Sequence, residues 1–204
     1  MKSLYIKITI TLIGVASFQI SKAQDSDLKK MMNSSFVSVG IASLDRLVQD
    51  ENQLACSSLK NGQLNIDSKL QSRIEKNNLK SIVYPSDGNY FGKWSEGEKI
   101  AQSGKGATWS DKNEDVNGGS CYNCHQLDKK EIAYGNIGPS LYNYGKLRGN
   151  SEAVVKYTWA KLYNAKAFNA CSAMPRFGHF KLLTENQIRD LMALLLDPQS
   201  PVNQ

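Results

Sequence analysis

The sequence predicts an all-α protein. Two segments carry complete helix signals, "SEAVVKYTWAKLYNA" from Ser151 and "TENQIRDLMALLLD" from Thr184. No stretch of useful length alternates apolar and polar residues as a half-buried strand does. At 204 residues, 41% apolar and 22% charged, the chain can bury a real core and reads as neither disordered nor fibrous.

The elements follow in order. Residues 1–23 end in "SKA" after a mostly apolar run from Leu4 to Ile20 with Lys2 ahead of it, the pattern of a secretory signal cut after Ala23. A retained anchor helix is the alternative, and Lys7 inside the run argues against it. From Leu28 to Val48, apolar residues recur at loose helical spacing (Leu28, Met31, Met32, Phe36, Ile41, Leu44, Leu47). Asn61-Gly62 breaks the pattern, and Ile66, Leu70 and Ile74 predict a second helix. The turn-rich stretch "YPSDGNYFGKW" (84–94) marks a boundary between an N-terminal helical extension (24–92) and a second domain (93–204).

In that second domain "SEGEKIAQS" predicts a short helix, with Ser95 as cap and Glu98 completing a capping box. Glycines 104 and 106 end it, and residues 104–120 read as a polar loop. Residues 126–150 are rich in Gly, Asn and Tyr without periodicity, as in a segment that wraps around something. Val155, Trp159 and Leu162 share one face of the helix after Ser151. In the last helix Thr184 and Gln187 form a capping box, Ile188, Leu191, Met192, Leu195 and Leu196 form the apolar stripe, and Pro198 stops it.

Charge excludes one class of partner. The chain is +6, from 25 basic and 19 acidic residues, but Lys2, Lys7 and Lys22 lie in the export signal. The remaining +3, with no basic run, argues against nucleic-acid binding, and no membrane span is expected once the signal is removed. Export places the chain in an oxidising compartment, where disulfides persist.

"GGSCYNCHQ" (118–126) carries the chemistry. Cys-x-x-Cys-His is the attachment sequence of c-type haem. Cys121 and Cys124 lie about one turn apart, so both thiols reach the vinyl groups on one porphyrin edge, and His125 then meets the iron. A redox dithiol needs no following histidine, and a structural zinc site needs a second ligand pair that Cys56, Cys171 and His179 do not supply by spacing. For the sixth iron position "CSAMPRFGH" offers Met174, in a Pro/Gly-rich loop between helices, with His179 as the alternative. Met192, on its helix stripe, reads as core filler. Pro139, fourteen residues after His125, can offer its carbonyl to the other imidazole nitrogen, the alternative being a plain turn proline. With two cysteines spent on haem, Cys56 and Cys171 are expected to pair as a disulfide. Two free thiols, or Cys171 as a reactive or iron-ligating thiolate, are the competing readings.

Three segments together resemble the SoxX family: "GGSCYNCHQL", "GNIGPSLYNYGKLRG" (135–149) and "ACSAMPRFGHFKLLTENQIRDLMALLLDPQSPV" (170–202). "CSAMPRFG" and "LLDPQSPV" are the most distinctive, and the likeness covers about half the chain. It implies a class I cytochrome c-type domain around one covalent haem c, with His125 and Met174 on the iron and Cys121 and Cys124 as attachments. It also implies a periplasmic heterodimer with a SoxA-like cytochrome subunit. That complex oxidatively joins thiosulfate to a cysteine of a SoxYZ-like carrier, with the bond chemistry on the partner. This chain would accept electrons from the partner haem and pass them to a soluble cytochrome c. A free-standing electron shuttle to an oxidase, or a gas-binding haem sensor that releases Met174, are the alternatives.

Overall fold

The computed structural model describes residues 27–57, 59–60 and 63–204, so the expected export signal and the Asn61-Gly62 break lie outside the described residues. The described chain is helical, as expected. Its elements are α1 (27–35), α2 (Glu51–Ser57), α3 (Ser68–Lys80), α4 (Trp94–Gln102), α5 (Tyr144–Arg148), α6 (Glu152–Tyr163) and α7 (Glu185–Leu196), with short 3-10 turns between them. Among these residues none of the helices is long and apolar enough to cross a membrane. The exception to helix is a minimal antiparallel pair, β1 (Leu59–Lys60) with β2 (Gln63–Leu64).

The core is built on α7. Its capping box forms as the sequence predicts, Thr184 Oγ1 accepting from the Gln187 N–H and Gln187 Oε1 from the Thr184 N–H. Its stripe of Ile188, Leu191, Met192, Leu195 and Leu196 is buried. Helix α4 crosses it closely at Gly97, where a Cβ would stand 2.2 Å from the Asp190 carbonyl oxygen. Any side chain there would part the two helices. Helix α6 adds Val155, Trp159 and Leu162, and Trp159 packs edge-on against Tyr90 while its Nε1 donates to the Val83 carbonyl at 2.9 Å. The C-terminus folds back: Asn203 accepts from the Gly145 N–H and donates to the carbonyls of Leu195 and Asp197. The last two serve carbonyls at the end of α7 that lack helical partners.

Three local expectations are corrected. Helix α4 begins at Trp94 and is not capped by Ser95; the Lys93 N–H is instead taken by Asp190 Oδ1 of α7 at 2.8 Å, so a tertiary contact sets the start. The periodic stretch 28–48 is helical only to residue 35. A left-handed Gly40 (φ 55°) then turns the chain, Val39 and Ala42 pair, and a 3-10 turn runs over Leu44–Leu47. Helix α5 falls in the stretch read as aperiodic.

The extension is packed on the rest. Helix α3 is capped by Asp67, which accepts from the Leu70 N–H, and it buries Ile74 and Asn78. Asn78 accepts from Asn164 Nδ2 at 2.8 Å, a buried bond between α3 and the residue that ends α6.

Candidate functional site

The loop before the Cys-x-x-Cys-His motif is stitched to the end of α4. Gly118 N–H donates to Lys105, Gly119 N–H to Ile100 and Ser120 N–H to Ser103, at 2.7–2.9 Å. Ser120 adopts a left-handed conformation (φ 50°) that turns the chain into a 3-10 turn at Cys121–Asn123. The N–H groups of Cys124 and His125 both donate to the Cys121 carbonyl, which closes the motif into one turn. Opposite it lies the segment 135–141, tied by three backbone bonds: Gly135 N–H to Tyr122, Gly138 N–H to Cys124 and Leu141 N–H to Gln126, each 2.8 Å.

That segment fixes the imidazole. His125 Nδ1 lies 2.7 Å from the Pro139 carbonyl oxygen, an N–H donating to an acceptor that proline's restricted backbone holds in place. Nε2 has no hydrogen-bond partner among the described residues. The ring lies against Gly138, where a Cβ would stand 2.1 Å from His125 Cε1. Gly138 is a site residue that sequence reasoning missed; its signal is the Gly-Pro pair, whose glycine makes room for the ring its neighbour orients. Burial pushes the Cys121 thiol up to about 12, so its sulfur is uncharged at neutral pH.

Met174 lies on the second loop, between α6 and α7. It and Cys121 both pack against the main apolar cluster. The loop is fastened at each end. Ala170 N–H donates to Glu75 of α3, and the Ala170 carbonyl accepts from Lys166 Nζ at 3.0 Å. Gly178 and His179 N–H both donate to the Tyr163 carbonyl. Arg176 is 4% exposed, pairs with Asp50 at 2.5 Å and stacks over Phe180 at 4.2 Å. For the Asp50 carboxyl, partial burial is outweighed by the Gln53 N–H and by Arg176, which hold it below the ordinary value. His179 is exposed and edge-on to Phe180; partial burial and then the charge of Arg176 hold its imidazole below the usual value.

Cys56 and Cys171 form a disulfide across 115 residues, joining α2 to the start of the Met174 loop. Two shallow surface pockets, one between α5 and the end of α7 and one beside Trp159 and Ile188, contain none of Cys121, Cys124, His125 or Met174. Among the described residues no three or more His, Cys, Asp or Glu side chains stand together as a bare metal-ion site.

The fold and site define a helical, disulfide-tied protein with a preformed Cys-x-x-Cys-His turn. No protein-family model matches it. Over 187 residues it is 36% identical to a protein of Aquifex aeolicus (strain VF5) named as an uncharacterized lipoprotein, a match spanning 91% of this chain and 85% of the relative. The chain belongs to the same family as that protein.

Proposed function

We propose that the chain is the mono-haem c-type electron-transfer subunit of a periplasmic SoxAX-like complex. The observation that carries the haem reading is the His125–Pro139 bond of 2.7 Å, which directs Nδ1 to a carbonyl and leaves Nε2 free to ligate. The surrounding residues fit the group. A neutral, desolvated Cys121 sulfur suits a thioether better than a thiolate nucleophile. Only two ligands are asked of the chain, because a macrocycle supplies the other four. Met174, packed on the same apolar cluster as Cys121, offers a soft thioether as the second.

In this reading Cys121 and Cys124 would hold the cofactor covalently, His125 and Met174 would ligate its iron, and Pro139 sets the ring orientation of His125. When bound, haem c supplies a reversible one-electron iron couple whose potential a thioether ligand raises. With His125 and Met174 both given to the iron, the chain would leave substrate no place on it, which suits electron transfer. Joining thiosulfate to a carrier cysteine then falls to a SoxA-like partner, with a soluble cytochrome c as electron acceptor. Export to the periplasm agrees with the disulfide and with the name of the Aquifex relative.

The test is expression with a c-type maturation system, followed by haem staining after denaturing electrophoresis. Stain should stay with the chain and vanish in the Cys121→Ala/Cys124→Ala variant. Met174→Ala should keep the stain and lose the weak far-red charge-transfer band of a His/Met haem. Absence of covalent haem in the wild type sinks the cofactor reading. Stained protein that captures no second cytochrome, and is not reduced with thiosulfate in periplasmic extract, is instead a free-standing shuttle.

A further inference from the structure

We propose that Asp50, on the extension, is a positioning residue for Met174. Through Arg176 it fixes the loop that presents the thioether, so that α2 acts as a clamp on that loop. The proposal deepens the reading above and rests on Met174 as the iron ligand.

Helix α2 buries no side chain, so packing against the core does not hold it. Polar contacts hold it instead: Glu51 pairs with Arg73 and Asn52 donates to Asn78, both on α3, and two further attachments join it to the Met174 loop. Asp50, just before its first residue, pairs with Arg176, and Cys56, near its end, is bonded to Cys171. The two attachments bracket Met174, one three residues before it and one two residues after it. The interval between is otherwise thinly held: the Met174 N–H donates to Ser172 Oγ at 3.2 Å, and Pro175 has no N–H to give.

Asp50 is itself held in place for this task. Its Oδ1 accepts from the Gln53 N–H at 2.8 Å and its own N–H donates to Gln53 Oε1 at 2.9 Å, a reciprocal cap on α2. Oδ2 is thereby presented to Arg176 Nη2. The guanidinium is 3% exposed, and its Nη1 is buried with no hydrogen-bond partner among the described residues. Among the described residues Asp50 is thus the carboxylate paired with this buried cation. Without it the cation is left uncompensated, and the relief open to it is to move toward water. Arg176 cannot move far without carrying the backbone two residues away, where Met174 sits.

The experiment uses the full mature chain with haem attached, well below its melting temperature. Added imidazole competes with Met174 for the iron, and its apparent Kd reads how firmly the thioether is held. Asp50→Ala should lower that Kd at least about tenfold, the scale on which loss of one partner of a buried pair acts. Asp50→Asn, which keeps an acceptor for the Gln53 N–H, should shift it in the same direction and serves if Asp50→Ala does not fold. Asp87→Ala, which removes one of two exposed carboxylates paired with Arg189 of α7, neither on the loop, should leave it unchanged. An unchanged Kd in both Asp50 variants overturns the proposal, as does an equal shift in Asp87→Ala. A charge-transfer band that survives Met174→Ala overturns the ligand reading, and this proposal with it. Loss of that band alongside an unchanged Kd in the Asp50 variants overturns the clamp alone.

Discussion

In α7 seven of twelve residues are buried, whereas between residues 27 and 48 Leu28, Met31, Phe36, Val37, Val39, Leu44 and Val48 are each at least 40% exposed. Both regions are rich in large apolar side chains. Helix α7 is positioned by burying them against α4 and α6, an attraction without direction that scales with area. Helix α2, which follows the second region, is positioned by a disulfide and by ion pairs through Asp50 and Glu51, each joining two particular atoms. The difference shows two ways to hold an element. A core helix tolerates small shifts as long as volume is filled, whereas a pinned element fixes its target to one place. On the proposed reading, in which the loop offers the Met174 sulfur to a single iron atom, it gains more from the second.

The largest expected effect tests that contrast from the pinned side. Replacing both Cys56 and Cys171 by serine should lower the unfolding free energy of the protein by about 4–5 kcal/mol, since the bond closes a loop of 115 residues. Denaturant unfolding followed by tryptophan fluorescence measures it. A loss below about 1 kcal/mol would mean that non-covalent contacts already fix the extension, and the comparison would collapse.

The core side of the contrast is tested by Leu191→Ala, at a position 2% exposed beneath α4 and α6. The expected loss is roughly 2–5 kcal/mol, from lost transfer energy and an unfilled cavity. Imidazole affinity should stay near the wild-type value in this variant, because the Met174 loop keeps both its pins. A strong shift in that affinity would show that the core, not the clamp, sets the loop.

How legible each region was in the sequence follows the same division. Helix α7 could be read in full because its cap, stripe and stop are local signals. The same is true of Ser151, which caps α6 by accepting from the Val154 N–H. The Pro139 carbonyl was legible because the motif already assigns His125 one task and leaves its second nitrogen needing an acceptor. The cysteine pair was legible by elimination. The start of α4 was not, since its first N–H is served by Asp190, 97 residues away. The Asp50–Arg176 pair spans 126 residues and leaves no trace in local pattern. Periodicity misled between 35 and 48 because it assumes that an apolar stripe faces a core, and here most of that stripe faces outward.

The smallest expected effect falls on that outward stripe. Val48 is 75% exposed, and its backbone N–H bond to Asp45 is indifferent to the side chain. Val48→Ser should therefore change stability by no more than about 0.5 kcal/mol, the usual range for surface positions. Burying a valine is worth about 1.5–3 kcal/mol, so a covered Val48 would announce itself. Thermal unfolding of wild type and variant at two protein concentrations separates the cases. Equal midpoints at both concentrations agree with a side chain that meets water. A destabilisation that grows with protein concentration would show that the stripe is covered by association. In that case the apolar residues of 27–48 would be doing between molecules what α7 does within one.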